Sequence, residues 1–359
     1  MHVPILLPKV FNYPFTYQNN SKNIKNLNQG DLVIVPFGKN KEIGVVWDKI
    51  KKTEKKFKLK SIEKKILNIK LNKKLIKFIN WFASYNLVPR GLILKMCLGN
   101  IKNFEEINYN KKQSTISSVI NYNLNTEQQN ALNNLTSHGD KFNVSVLLGI
   151  TGSGKTLVYF ERIKKLIKEN KQALILIPEI FLTTQFKSRF KLFFGYEPAI
   201  WHSKISPSKK KKIWHEVINN KIKIIIGARS SLFLPFKNLG LIIVDEEHDL
   251  SYKQEDNVIY NARDMAISRA SIENIPINLI TAVPSLETYN NIKNKKYKKT
   301  ELKKRYENFP LPQTKVINLN LEKLNKNSIS SETINIVKEY LKKNNQILFF
   351  LNRRGYSPF

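Results

Sequence analysis

Short apolar runs alternate with longer amphipathic segments through most of the chain after residue 123. The runs Val144–Leu148, Ala173–Ile177, Ile222–Ile226, Leu241–Val244 and Ile277–Ile280 are apolar at nearly every position. That pattern predicts strands covered on both faces. Between them, Leu157–Glu169, Thr183–Phe193 and Lys209–Asn219 carry a helical period. Strands alternating with helices predict a parallel sheet sandwiched between helical layers, an α/β fold. Lys293–Lys304 reads as a basic surface run, Pro310 and Pro312 mark a break, and residues 331–351 offer one more helix and a strand at Ile347–Leu351.

The first hundred residues follow a different pattern. Asp31–Gly38 and Ile43–Trp47 are β-rich and flank a polar turn at Lys39–Glu42. Leu75, Ile76, Ile79 and Phe82 recur at helical spacing within Lys73–Tyr85. Residues 101–123 are polar without a period and read as a linker. The predicted organisation is a small β-rich domain over 1–100, the linker over 101–123, an α/β lobe over 124–310 and a remainder over 311–359.

Composition narrows the classes. The 359 residues contain 61 Lys and Arg against 28 Asp and Glu, a formal charge of +33. The excess suits an anionic partner such as nucleic acid. Its weight is reduced because Lys, Asn and Ile are all abundant, as an AT-rich gene would encode. One cysteine, Cys97, excludes a disulfide scaffold and a Cys-based zinc site within this chain, and is expected to be a core residue. Met1–Pro8 lacks a signal-peptide pattern, and no apolar run approaches the ~20 residues that span a bilayer. The expectation is a cytoplasmic protein without a membrane partner.

Two motifs carry chemistry. Gly149-Ile-Thr-Gly-Ser-Gly-Lys-Thr156 fits G-x-x-x-x-G-K-[ST], follows a predicted strand and opens a predicted helix. In such a loop Gly149, Thr151, Gly152, Ser153 and Gly154 curl backbone N–H groups around phosphate oxygens. Lys155 sets a charge on the β- and γ-phosphates, and the Thr156 hydroxyl ligates Mg²⁺. Further on, Leu241–Val244 runs straight into Asp245-Glu-Glu-His248. A carboxylate at a strand end beside a phosphate loop suits a magnesium ligand, Asp245, and its neighbour Glu246 suits a water-orienting base. Together they favour a nucleic-acid-dependent ATPase.

With these residues, the chain resembles the N-terminal half of the PriA (primosomal protein N′) family of superfamily-two DNA helicases. The resemblance rests on Leu124–Gln128, Gly149–Thr156, Ile177–Ile180, His202-Ser203, Gly227–Ser230, Asp245–His248, Ser251–Gln254 with Ala262–Asp264, and Phe350–Tyr356. It implies a RecA-like lobe that binds ATP and Mg²⁺, with Gln128 on the adenine edge and Lys155, Asp245, Glu246 and His248 as catalytic residues. It places Arg229 and Ser230 against the DNA backbone, and Tyr252, Lys253 and Arg263 in an aromatic-rich loop that couples DNA contact to hydrolysis. It makes residues 1–100 an OB-like 3′-DNA-end-binding domain with a pocket of Phe11, Asn12, Gly38 and Lys60, and residues 311–359 the truncated start of a second helicase lobe.

The implied function is replication restart: a 3′→5′ helicase that recognises stalled forks and reloads the replicative helicase. The implied partners are forked and single-stranded DNA, single-stranded-DNA-binding protein, other primosome proteins and the replicative helicase. Several positions depart from the family pattern. The linker is too short for the family's winged helix. The zinc-binding cysteines and later helicase motifs of the family are absent, and Phe359 is not a natural terminus, so one lobe alone is expected to turn over poorly. The family's Ser-Ala-Thr motif reads Thr281-Ala-Val283, Asn12 replaces an Asp, and Val258 and Ile259 thin the aromatic-rich loop. These departures define the alternative expectation, a truncated, non-unwinding DNA-fork-binding adapter or eroding gene product that binds ATP at most.

Overall fold

The computed structural model describes residues 2–20, 24, 26–48, 59–99, 122–137, 139–305, 313–318 and 329–350. Five antiparallel strands open the chain: β1 (His2–Leu6), β2 (Phe15–Gln18), β3 (Asp31–Phe37), β4 (Asn40–Val46) and β5 (Lys64–Lys70), ordered β2-β1-β4-β3-β5. The two ends of this sheet meet again. Gln18 N donates to Lys60 O at 2.9 Å and Ile62 N donates to Gln18 O at 3.0 Å. The sheet therefore curls into a partly closed barrel around Ile5, Leu7, Val33 and Val35. The turn between β3 and β4 is tighter than the polar pattern predicts. Phe37 pairs with Asn40, leaving Gly38-Lys39 as the turn. Gly38, at φ 63°, supplies the left-handed backbone that a two-residue hairpin needs, so Asn40–Glu42 belong to the strand.

Helix α1 (Lys73–Tyr85) has the predicted bounds and is capped by Asn72, whose side chain accepts from Leu75 N at 2.7 Å. Helix α2 (Arg90–Leu98) follows and ends at Gly99 in the left-handed conformation. Most of the predicted linker lies outside the described residues.

The lobe then runs α3 (Thr126–Thr136), β6 (Val144–Gly149), α4 (Lys155–Lys168), β7 (Gln172–Leu176), α5 (Thr184–Phe194), β8 (Ala199–Trp201), α6 (Pro207–Ile218), β9 (Ile224–Gly227) and β10 (Leu239–Asp245). A two-strand hairpin follows, β11 (Lys253–Gln254) and β12 (Tyr260–Asn261). It leads into α7 (Ala262–Glu273), β13 (Ile277–Thr281), α8 (Leu286–Lys293) and β14 (Lys298–Leu302). Seven of these strands form one parallel sheet, ordered β14-β6-β13-β10-β7-β9-β8. This is the fold of a RecA-like helicase lobe.

Strand alternation divides the sheet between two cores. Leu174, Leu176, Ile242 and Val244 face a layer formed by α1, α2, α6 and α7. Ala173, Ile175, Leu241 and Ile243 face α3, α4 and α5. The helices after the small barrel thus supply part of the lobe's own core, and residues 1–308 form one compact unit. Polar ties reinforce the join. Trp214 Nε1 donates to Cys97 O at 2.7 Å. Arg269, fully buried, donates to the carbonyls of Leu232 and Leu234 and lies against the rings of Phe78 (5.7 Å) and Phe236 (5.3 Å).

Two expectations are corrected. Lys298–Leu302, read as part of a basic surface run, is the edge strand β14. An edge strand exposes every second residue, so only Thr300 and Leu302 turn inward and the lysines mask the period. In the second unit, 309–359, α9 (Ser331–Lys342) forms as predicted, capped by Ser330. The expected strand at Ile347–Leu351 does not form over 347–350. No other strand lies among the described residues of that unit to pair with it, and Leu348 and Phe350 are exposed.

Burial pushes the Cys97 thiol up to about 12, against an opposing influence of Arg269. Cys97 should therefore resist alkylation in the folded chain and react fully in denaturant. Trp214→Phe removes the donor to the buried Cys97 carbonyl and should cost about 1–3 kcal/mol of stability. Denaturant melts together with thiol labelling of the variant measure both effects. Fast labelling of the unsubstituted chain in native buffer would contradict the packing of α2.

Candidate functional site

Strand β6 delivers residues 149–154 to the N-terminus of α4, where unpaired backbone N–H groups and the helix dipole favour an anion. The glycines are required by space. A Cβ on Gly149 would meet Ser153 Oγ at 2.5 Å, and one on Gly154, at φ 83°, would meet Gln128 Nε2 at 2.3 Å. Lys155 Nζ donates to Gly149 O at 2.7 Å. Desolvation lowers the Lys155 pKa, while Glu246 and Asp245 oppose the shift. Ser153 Oγ is buried without a hydrogen-bond partner. A cradle of N–H groups, a lysine and an unsatisfied hydroxyl fits a phosphate group.

A cleft of about 750 Å³ opens over this loop. It is lined by Tyr122, Gln128, Thr151–Leu157, Phe160, Arg189, Phe193, Asp245 and Glu246. Tyr122 stacks on Phe193 with centroids 5.9 Å apart and planes 12° from parallel. Gln128 is fully buried and holds α3 to the loop. Its N–H donates to Asn125 Oδ1 (2.8 Å), its Oε1 accepts from Asn125 N (3.1 Å), and its Nε2 donates to Ser153 O (3.0 Å). Both ends of the amide expected to read adenine are engaged, Oε1 in the cap of α3 and Nε2 on the phosphate loop.

Asp245 ends β10 across β13 from the phosphate loop. Tyr159, one turn into α4, donates its hydroxyl to Asp245 Oδ2 at 2.9 Å, and Glu246 N donates to Oδ1 at 3.1 Å. Burial foremost, and then the charge of Glu246, push the Asp245 carboxyl up to about 6; Tyr159, Glu246 N–H and Lys155 pull the other way. Burial pushes the Tyr159 phenol well up, so it remains a donor. With the Thr156 hydroxyl, this carboxylate is an oxygen donor set of the kind Mg²⁺ prefers.

Glu246 sits in the left-handed region at φ 48°, a strain of about 1–2 kcal/mol for a side chain with a Cβ. The kink lets Glu247 N donate to Ile280 O at 3.1 Å and brings His248 Nδ1 to 2.8 Å from Thr281 Oγ1. Thr281 Oγ1 also donates to Val283 O at 2.7 Å. The substituted Thr281-Ala-Val283 motif therefore still touches the Asp245–His248 turn through its remaining hydroxyl.

Glu247, the one member of that quartet given no role from sequence, is the hub. It is 1% exposed and accepts from Ser285 N (2.8 Å), Ser285 Oγ (3.1 Å), Thr288 Oγ1 (2.9 Å) and Arg263 (3.2 Å). Arg263 also binds Asp264 at 2.8 Å. Tyr252 is 2% exposed and donates to Leu176 O (2.9 Å) and Asp245 O (2.5 Å). Tyr252 and Arg263 are both buried, with their polar atoms bound inside the lobe. Lys253 is exposed; its carbonyl accepts from Arg229 at 2.8 Å, beside Ser230. The buried roles of Tyr159, Tyr252 and Glu247 had no distinguishing local pattern. Only their closeness to the two motifs pointed to them.

In the barrel, the four expected pocket residues lie together. The Phe11 ring packs against Phe15 (4.9 Å), Phe37 (5.9 Å) and the exposed Tyr13 (6.0 Å). Gly38 follows Phe37, and Lys60 Nζ donates to Gly38 O at 3.3 Å. A Cβ on Gly38 would meet nothing within 4 Å, so its backbone is open to close approach. Asn12 Oδ1 accepts from Arg90 N at 3.4 Å, at the start of α2.

Two family models match successive regions of the chain. The DEAD/DEAH box helicase family model matches residues 125–292, and the 3'DNA-binding domain (3'BD) model matches residues 2–99. Replication restart protein PriA of Rickettsia conorii is 42% identical over 357 residues, 99% of this chain and 54% of that protein. PriA of Haemophilus influenzae is 43% identical over 235 residues, 66% of this chain and 32% of that protein. A solved structure of the DUF1998 helicase MrfA bound to DNA and AMPPNP aligns at 20% identity and a TM-score of 0.39, over 61% of this chain and 32% of that one. The chain spans about half the length of the Rickettsia relative. Among the described residues no helix is long and apolar enough to cross a membrane. The chain belongs to the PriA replication restart family and matches the N-terminal half of its members.

Proposed function

We propose that this chain binds ATP with Mg²⁺ in the cleft over residues 149–156 and binds DNA 3′ ends at the Phe11–Lys60 patch. In this reading it serves a 3′→5′ restart helicase acting at stalled forks. The observation that carries the proposal is the convergence of Lys155, Asp245 and Glu246 on one cleft lined by the phosphate loop. In this reading the loop's N–H groups and Lys155 hold the triphosphate, and Glu246 orients the attacking water. Thr156 and Asp245 would hold Mg²⁺, which would supply charge neutralisation at the phosphates. His248, through Thr281, relays the state of this turn to the segment after β13. Arg229 and Ser230 approach the DNA backbone, and Tyr252 and Arg263 transmit from within. The protein partners are those of fork reloading: single-stranded-DNA-binding protein, other primosome proteins and the replicative helicase.

The test is ATP hydrolysis by the 359-residue chain, with and without forked DNA carrying a 3′ leading-strand end, beside Lys155→Ala. Turnover stimulated by the fork should fall by roughly 10²-fold or more in Lys155→Ala, as when one preorganised charge-stabilising donor is removed. Fork binding with no turnover would replace the motor reading with a DNA-binding adapter. For the patch, Phe11→Ala should weaken binding of an oligonucleotide with an accessible 3′ end by about 1–3 kcal/mol, the usual value of one stacked base. Lys60→Ala should weaken it less and flatten its salt dependence. Anisotropy titrations against circular single strands supply the control; equal losses on circles would remove the end-binding role.

A further inference from the structure

The segment leaving β14 is held at two points, one on the phosphate loop and one on α3. Arg305 Nε donates to Thr151 O at 3.1 Å, and its side chain passes the Gly152 position. The Glu127 carboxylate accepts from Lys303 N at 2.7 Å and Lys304 N at 3.3 Å. Glu127 and Gln128 are neighbours in the first turn of α3, so one helical turn holds residues 303–304 with one side chain and the loop with the next. Arg305 completes a triangle of α3, loop and post-β14 segment.

A planar trans peptide ties each carbonyl to the next N–H, pointing the opposite way. Fixing Thr151 O toward Arg305 therefore fixes the Gly152 N–H on the other side. Fixing Ser153 O toward Gln128 does the same for the Gly154 N–H. Two braces on alternate peptides set the direction of the donors that a phosphate would meet. The second of the chain's two units begins at residue 309, a few residues beyond Arg305.

We infer that Arg305 and Glu127 form a clamp that preorganises the phosphate loop and couples its occupancy to the segment leading into the second unit. Arg305 is a positioning residue, since it touches the loop and does not line the cleft. The inference rests on the nucleotide reading of the cleft for its functional consequence, and its structural half stands apart from it. Phosphate binding draws the loop's N–H groups toward the ligand, which tightens or strains the Thr151–Arg305 contact, and Arg305 passes that change along its own backbone.

The experiment uses the full 359-residue chain, Arg305→Ala, Arg305→Lys and Glu127→Ala, with MgADP as probe. Amide exchange at 149–156 in the nucleotide-free protein should rise roughly tenfold in Arg305→Ala, the size expected for losing one hydrogen bond from a charged donor. Arg305→Lys, which keeps a cationic donor, should recover much of it. Glu127→Ala should raise exchange at Lys303 and Lys304. MgADP affinity should fall roughly tenfold in Arg305→Ala with the thermal midpoint preserved. MgADP should also slow exchange at 302–305 in the native chain and not in Arg305→Ala. Unchanged exchange at 149–156 in Arg305→Ala overturns the clamp, whatever the chain does with nucleotide. MgADP that binds tightly yet leaves 302–305 unchanged overturns the coupling. Failure of the native chain to bind MgADP sinks the ATP reading alone, because loop exchange in the variants still decides the clamp.

Discussion

A carboxylate at the end of a fully apolar strand is costly unless donors meet it, and Asp245 is placed there. Its two oxygens are met by Tyr159 from α4 and by the N–H of the residue that follows it, and its carbonyl by Tyr252. Each donor comes from a different part of the lobe, so the central strand, the helix of the phosphate loop and the hairpin segment share one buried point. The requirement also explains the backbone strain at Glu246. Turning the chain in the left-handed sense puts that residue's N–H on Asp245 and directs Glu247 and His248 toward β13. The strain of one residue is offset by the bonds the turn makes possible.

The period of two along a buried strand gives the sheet two distinct faces, and those faces have different partners. One is covered by helices from the lobe itself. The other is covered in part by α1 and α2, which follow the small barrel. The Phe11–Lys60 patch and the phosphate cleft are therefore carried by one compact unit, 1–308. Buried polar groups at the seam, Arg269 between two aromatic rings and Trp214 on the Cys97 carbonyl, penalise any relative displacement, because moving either leaves a donor or a carbonyl unpaired in an apolar setting.

How much could be read from the chain follows from the same physics. Strands β6, β7, β9, β10 and β13 were legible because burial on both faces makes every position apolar. Helix α1 was legible because one face is buried and the other is not. Strand β14 was hidden: an edge strand buries alternate residues, and its exposed lysines look like any charged surface. Helix α2 lacks such a period, since Gly91 near its start and Cys97 near its end are buried beside its leucines. In the site, the motif residues were legible because their chemistry demands particular side chains in a particular order. Glu247, Tyr159 and Tyr252 were not assigned these buried roles, because a buried hydrogen bond between distant segments leaves no local signature. The same holds for Arg305, one arginine at the end of a lysine-rich run. Only the fold shows that it reaches the loop.

The substituted motif at 281–283 illustrates why connectivity outlasts residue identity. The resemblance expects two hydroxyls there and the chain keeps one. That one makes both bonds that matter locally, to His248 and to the Val283 carbonyl, while the Val283 side chain itself is exposed. Replacing an outward hydroxyl by an isopropyl group removes a group that another molecule or segment would meet, and leaves the buried wiring intact. The chain therefore retains the internal contacts between the Asp245–His248 turn and β13 while altering the neighbouring surface. A change in coupling would then arise at that surface rather than inside the lobe.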